Sequence, residues 1–221
     1  MLKQKCLPFL AVAASLAVLG CASVNGTADI DALTRNMVQT SFRDEGIAKV
    51  ERLQQDEANA ACSQAEAAGQ PLDAARAQAI EAANLKSVQW PRDGRLVGDW
   101  REGEKIAQNG RGMTWTDKAV SAGGAANGGN CYNCHQISKE EISYGTLGPS
   151  LYNYGKIRGI QNPDSPESKA IVEYTWGKVW NAKAYNACSG MPRFGHAGIL
   201  SEAQVRDLVA LLVDPKSPVN R

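Results

Sequence analysis

The chain has 221 residues, with 24 Lys and Arg against 23 Asp and Glu, a formal net charge of +1. So even a balance excludes the broad field that nucleic-acid binding or a strongly acidic partner requires, while the length admits one substantial core or a small domain with an extension. Six cysteines against two histidines make the thiols the most informative residues.

Residues 1–20 carry Lys3 and Lys5 and then an uncharged run from Cys6 to Gly20. That run is too short for a comfortable bilayer span and reads as an export signal. Losing its two lysines leaves 22 basic against 23 acidic side chains. The segment ends in Val18-Leu19-Gly20-Cys21, which is similar to a bacterial lipobox, where the Cys thiol takes a diacylglycerol. Ordinary cleavage near Ala22 or Ser23 fits as well. Both readings place the mature protein in the periplasm, in the first case tethered to a membrane through Cys21.

Residues 21–33 are short and polar and read as a tether. Residues 34–95 read as a helical extension. Helix-forming residues run from about Thr34 to Ala68, with Ile47, Val50, Leu53, Ala58, Ala61, Cys62 and Ala65 near one stripe, so a single long helix is expected there. Gly69-Gln70-Pro71 stops it, and Asp73 can cap a second Ala-rich helix through Leu85. The resulting hairpin has small apolar side chains and would bury too little surface alone, so it should lie against something larger.

Trp90-Pro91-Arg92-Asp93-Gly94 breaks the helical pattern, and residues 96–221 read as a second unit. Asp99 can cap the helix that follows, with Glu102 reaching back to it, while Gly103 permits another helix to approach closely. Residues 121–130 form a Gly-, Ala- and Asn-rich loop leading into Cys131-Tyr132-Asn133-Cys134-His135. This pentapeptide spacing lets Cys131 and Cys134 add across two porphyrin vinyl groups as thioethers while His135 ligates the iron, so the motif reads as a covalent haem c site. Two other readings are a Cys-x-x-Cys dithiol beside an incidental His, and half of a zinc site completed by Cys188, His196 or Cys62.

Past the motif, Ser165-Pro166-Glu167 opens a helix carrying Ile171, Val172, Tyr174, Thr175, Trp176, Val179 and Trp180, read as a core helix packing on the porphyrin and its neighbours. Cys188-Ser189-Gly190-Met191-Pro192 places Met191 in a loop that cannot be helical. A soft thioether trans to imidazole favours ferrous iron and suits an electron carrier, which makes Met191 the distal-ligand candidate, with His196 and Met113 as rivals. Ser201 and Gln204 form a capping box for the last helix, whose Val205, Leu208, Val209 and Leu212 share one face. If Cys6 leaves with the signal, Cys21 is acylated or removed, and Cys131 and Cys134 take haem, then Cys62 and Cys188 remain. One bridge between them is the simplest outcome in an oxidising compartment, against two buried thiols or an intermolecular link.

The first helix near Gly103, the pentapeptide and Gly145-Thr146-Leu147-Gly148-Pro149-Ser150-Leu151 resemble class I cytochromes c. That resemblance implies an all-α fold, contact between the first and last helices, and a hydrogen bond from the proximal His to the Pro149 carbonyl. Adding Met191-Pro192-Arg193-Phe194-Gly195, Gly198-Ile199-Leu200-Ser201 and Ser217-Pro218-Val219-Asn220, residues from about 98 to 221 resemble the SoxX family of monohaem subunits of the SoxAX thiosulfate-oxidising cytochrome. The resemblance implies one covalently bound haem c with His135 and Met191 as axial ligands. It also implies a SoxA-like dihaem or monohaem partner in a heterodimer, a SoxYZ-like carrier protein whose cysteine receives thiosulfate, and a soluble cytochrome acceptor. In that family the reactive haem lies in the partner, so this chain would relay electrons within an L-cysteine S-thiosulfotransferase. The alternative is an independent periplasmic monohaem cytochrome c acting as an electron shuttle.

Overall fold

The computed structural model describes residues 29–118, 127–141 and 143–221. Residues 1–20, read from the sequence as an export signal, Cys21 and most of the loop before Cys131 lie outside them. Seven α-helices and no named strand occur among the described residues, and no described helix is long and apolar enough to cross a membrane.

Helix α1, Ile30–Ser41, is a unit by itself up to Thr40. Asp29 accepts the Ala32 N–H at 2.8 Å and so begins it. Ile30, Leu33 and Met37 follow the helical period.

Residues 41–221 make up the other unit. Its start corrects the single long helix expected over 34–68. Asp44 Oδ1 takes the Val50 N–H at 2.9 Å, Glu45 and Ala48 exchange backbone bonds of 2.9 and 2.8 Å, and the Ile47 N–H donates to the Asp117 carbonyl at 3.1 Å. Gly46 sits at φ +54° in this turn, a conformation that helix-forming composition does not foresee. Val50–Leu53 is one tight 3-10 turn. Only at α2, Glu57–Ala67, does a helix resume, capped by Asp56, whose side chain accepts the Asn59 N–H at 2.8 Å. The Gly69 N–H to Glu66 carbonyl and Gln70 N–H to Ala65 carbonyl bonds close it.

Helix α3, Ala74–Lys86, starts at Asp73, which accepts from the Arg76 N–H. The hairpin of α2 and α3 lies against the segment after residue 180. Ala58, Ala61 and Ile80 pack with Ala187, and the Asn181 amide donates to Asn84 Oδ1 at 2.9 Å and Ser87 Oγ at 3.0 Å.

Helix α4, Trp100–Gln108, and α7, Glu202–Val213, form the central pair. Gly103 is why they can meet. A methyl group there would overlap the Asp207 carbonyl oxygen and stand 3.0 Å from Leu211 Cβ. The expected capping box of α4 is only half present. Asp99 accepts the Arg101 N–H at 2.9 Å, but Glu102 instead pairs with Lys105 Nζ at 2.7 Å. The Asp99 N–H goes to Asp207 Oδ1 at 2.8 Å, because α7 reaches it first. Gly103→Ala is expected to lower stability by about 1–3 kcal/mol through overpacking at this crossing, measured as a lower urea midpoint at unchanged slope.

The capping box of α7 forms as expected, with Ser201 and Gln204 exchanging bonds. Its far end is locked by the C-terminal tail. Ser217 Oγ donates to the Leu211 carbonyl at 2.6 Å, and the Asn220 amide donates to the Leu212 and Asp214 carbonyls at 3.0 and 2.9 Å. Asn220 Oδ1 accepts the Gly155 N–H at 2.8 Å, tying in α5, Tyr154–Ile157. Helix α6, Lys169–Trp180, packs against α7 and buries Val172, Trp176, Val179 and Trp180 in the shared core. It begins after Ser165-Pro166-Glu167, which form a turn closed by the Ser168 N–H on the Ser165 carbonyl.

Candidate functional site

The pentapeptide hangs from the C-terminal end of α4. The Gly129 N–H donates to the Ile106 carbonyl at 2.8 Å and the Asn130 N–H to the Asn109 carbonyl at 3.0 Å. Asn130 takes φ +50°, and the chain then closes a 3-10 turn over Cys131–Asn133. The Cys134 and His135 N–H groups both reach the Cys131 carbonyl, at 3.1 and 2.9 Å. The turn thus presents two thiols and an imidazole from one short segment.

The loop 145–151 returns along this segment. The Gly145 N–H bonds the Tyr132 carbonyl at 3.0 Å, Gly148 N–H the Cys134 carbonyl at 2.8 Å, and Leu151 N–H the Gln136 carbonyl at 2.7 Å. This register brings the Pro149 carbonyl to His135 Nδ1 at 2.7 Å. A carbonyl can only accept, so Nδ1 carries the proton, and the tautomer this contact selects is the one with its lone pair on Nε2. Nε2 is therefore the nitrogen free for a metal, and the bond at Nδ1 holds the ring plane and raises ligand basicity. Gly148 is needed because a Cβ there would overlap the His135 ring. Gly148→Ala is accordingly expected to displace the ring and cut covalent haem yield severalfold, checked by haem absorbance per milligram of purified chain.

Met191 lies on the other loop and is half-buried, packed against the same apolar core that Cys131, Tyr132 and Leu151 join. Its N–H donates to Ser189 Oγ at 3.3 Å. Of the rivals, His196 is exposed and its Nδ1 lies 3.2 Å from Ser87 Oγ, while Met113 is half-buried at φ +59°. Cys62 and Cys188 form a disulfide. They are thus unavailable to complete a zinc site, and no group of three or more His, Cys, Asp or Glu able to hold a metal occurs among the described residues.

The dithiol reading also weakens. Burial, with a smaller contribution from neighbouring Cys134, pushes the Cys131 thiol up to about 12. A redox-active Cys-x-x-Cys needs a thiol lowered towards neutrality. Cys131 is half-buried against the apolar core.

Trp180 Nε1 is buried with no hydrogen-bond partner, an unusual debt for an indole. Trp180 stacks on Trp176 with ring centroids 5.6 Å apart, and Gly195, in the loop that carries Met191, lies on its face. A spare imidazole lone pair and two adjacent thiols fit a tetrapyrrole bearing iron and vinyl groups. Sequence reasoning placed Trp180 in the core but gave no sign of its open donor, because satisfaction of an N–H depends on contacts distant in sequence.

A groove of about 950 Å³ lies elsewhere, between residues 94–98, 161–166 and 214–216. Nothing in it resembles the chemistry described above.

Residues 120–214 match the cytochrome c family. The chain is also similar to an uncharacterized lipoprotein of Aquifex aeolicus (strain VF5), at 36% identity over 136 residues, covering 61% of this chain and 59% of the relative. It thus spans somewhat over half the length of that protein. A cytochrome c domain is therefore present in the C-terminal half of this all-α chain, and such a domain implies covalently bound haem c and electron transfer.

Proposed function

We propose that the chain is the monohaem electron-transfer subunit of a SoxAX-type cytochrome, with one haem c held by Cys131, Cys134, His135 and Met191. The observation that carries the ligand reading is the His135–Pro149 contact, which fixes the tautomer that leaves Nε2 for iron. When bound, haem c supplies a one-electron iron centre. Cys131 and Cys134 would anchor it through thioethers, and Pro149 would orient His135. Met191 offers a soft donor from the loop that follows Cys188.

The SoxX assignment is supported by Met191-Pro192-Arg193-Phe194-Gly195 and by the buried tail Ser217-Pro218-Val219-Asn220, whose bonds hold α7 to α5. In this reading the complex joins thiosulfate to a carrier-protein thiol, and formation of the sulfur–sulfur bond releases one proton and two electrons. The bond forms on the SoxA-like partner. This chain removes the electrons singly to a soluble cytochrome acceptor. A periplasmic location with a lipid on Cys21 is supported by Val18-Leu19-Gly20-Cys21 and by the similarity to a lipoprotein.

The test is reconstitution. Co-expressed with a SoxA-like haem chain, the protein should co-purify with it, and thiosulfate plus carrier protein should reduce its haem only when both chains are present. Reduction kinetics independent of the second chain would favour a free-standing electron shuttle.

A further inference from the structure

One helix of the N-terminal hairpin grips the Met191 loop on both sides. Cys62 of α2 is bridged to Cys188 on the upstream side. Asp56, the cap of the same helix, reaches the downstream side, where its Oδ2 lies 2.5 Å from Arg193 Nη2. The other carboxylate oxygen, Oδ1, accepts the Asn59 N–H at 2.8 Å, so Asp56 is fixed relative to α2 before it meets Arg193. The pair is only partly exposed, 21% at Arg193 and 40% at Asp56, a setting in which a charge-assisted contact keeps more of its strength than on an open surface. Burial pushes the Asp56 carboxyl up, but the Asn59 N–H and Arg193 outweigh it and hold the group below the usual carboxylate range.

Other bonds strengthen the upstream grip. The Ala187 N–H donates to Glu81 Oε1 of α3 at 3.1 Å, and its carbonyl accepts from buried Lys183 Nζ at 2.9 Å. Residues 187 and 188 are therefore held from several directions. Downstream, between Met191 and the buried anchor Phe194, the Asp56–Arg193 pair is the described tie to the hairpin.

We propose that Asp56 is a positioning residue for Met191, acting through Arg193 to hold the thioether loop in its ligating position. The proposal rests on the reading of Met191 as an axial ligand. A loop tied at one end can swing about that end, whereas a loop tied at both must strain or break a contact to release its middle. The hairpin thus sets how readily Met191 gives way to an external ligand.

The experiment uses ferric holoprotein and added imidazole, which competes with Met191 for the iron. Asp56→Asn removes the charge facing Arg193 but keeps an acceptor for the Asn59 N–H, since Asn caps helices as well as Asp. Arg193→Gln removes the other partner. Each variant is expected to bind imidazole about three- to tenfold more tightly and to lose part of the ferric methionine absorbance band. Their double variant should be no worse than either single one. Thermal unfolding followed by far-UV circular dichroism in saturating imidazole monitors folding separately from ligation.

Unchanged imidazole affinity in both single variants would overturn the proposal, and so would additive effects in the double variant. If Met191→Ala leaves the wild-type spectrum unaltered, the axial-ligand reading fails and this proposal falls with it. If that variant changes the spectrum while Asp56→Asn does not, only the positioning role fails.

Discussion

Met191→Ala is expected to abolish the ferric methionine absorbance band and lower the midpoint potential by an amount on the order of 0.1–0.3 V, within the roughly 0.8 V that axial ligands command. A thioether is a soft, neutral donor and stabilises ferrous iron relative to ferric. Water or hydroxide in its place is a harder ligand and reverses that preference. Met191 is half-buried against the core shared with Cys131, so truncation should leave the fold largely in place. Spectroelectrochemical titration of the variant beside the wild type checks this, with circular dichroism to show that helix content is retained.

Cys188→Ser should have the second-largest effect, and in a definite order. The bridge to Cys62 spans a sequence separation of 126 residues, for which chain-entropy reasoning gives about 5 kcal/mol of stabilisation at most and typical measurements give about 2–4 kcal/mol. The bridged residue lies three positions before Met191, so its loss first frees the thioether loop. As temperature rises the methionine band should disappear well below the far-UV transition, whereas in the wild type the two should nearly coincide. The far-UV midpoint itself should fall by roughly 5–15 °C. Loss of both signals in a single shared transition would mean that the bridge supports the whole domain and has no particular bearing on the loop.

Short-range features of this molecule were legible because their physics is local. Asp73 before Ala74 and Ser201 with Gln204 satisfy helix N–H groups within three residues, and the structure has both caps. Gly69 before Pro71 ended a helix for the same reason. Cysteine parity pointed to the 62–188 bridge once residues 1–20 were read as an export signal, because thiols rarely stay unpaired in an oxidising compartment.

Failures came where a distant partner wins. The helix expected over 34–68 gives way at Gly46, whose neighbour Ile47 pairs with Asp117. The capping role expected of Glu102 is lost because Asp207 on α7 takes the Asp99 N–H. At the candidate site, the pentapeptide names its own chemistry, and the Pro149 contact follows from the resemblance of its loop. The unpartnered Trp180 N–H and the Asp56–Arg193 pair had no sequence signal, since each depends on segments that only the folded chain brings together.

The most direct test of a covalent cytochrome centre is the intact mass of the mature chain, denatured and freed of loosely bound groups, after expression with haem maturation factors. The wild type should carry the mass of one haem that survives denaturation, and the Cys131→Ala, Cys134→Ala double variant should carry none. A wild-type chain that emerges at its bare polypeptide mass, colourless and with Cys131 and Cys134 as free thiols, would contradict the account.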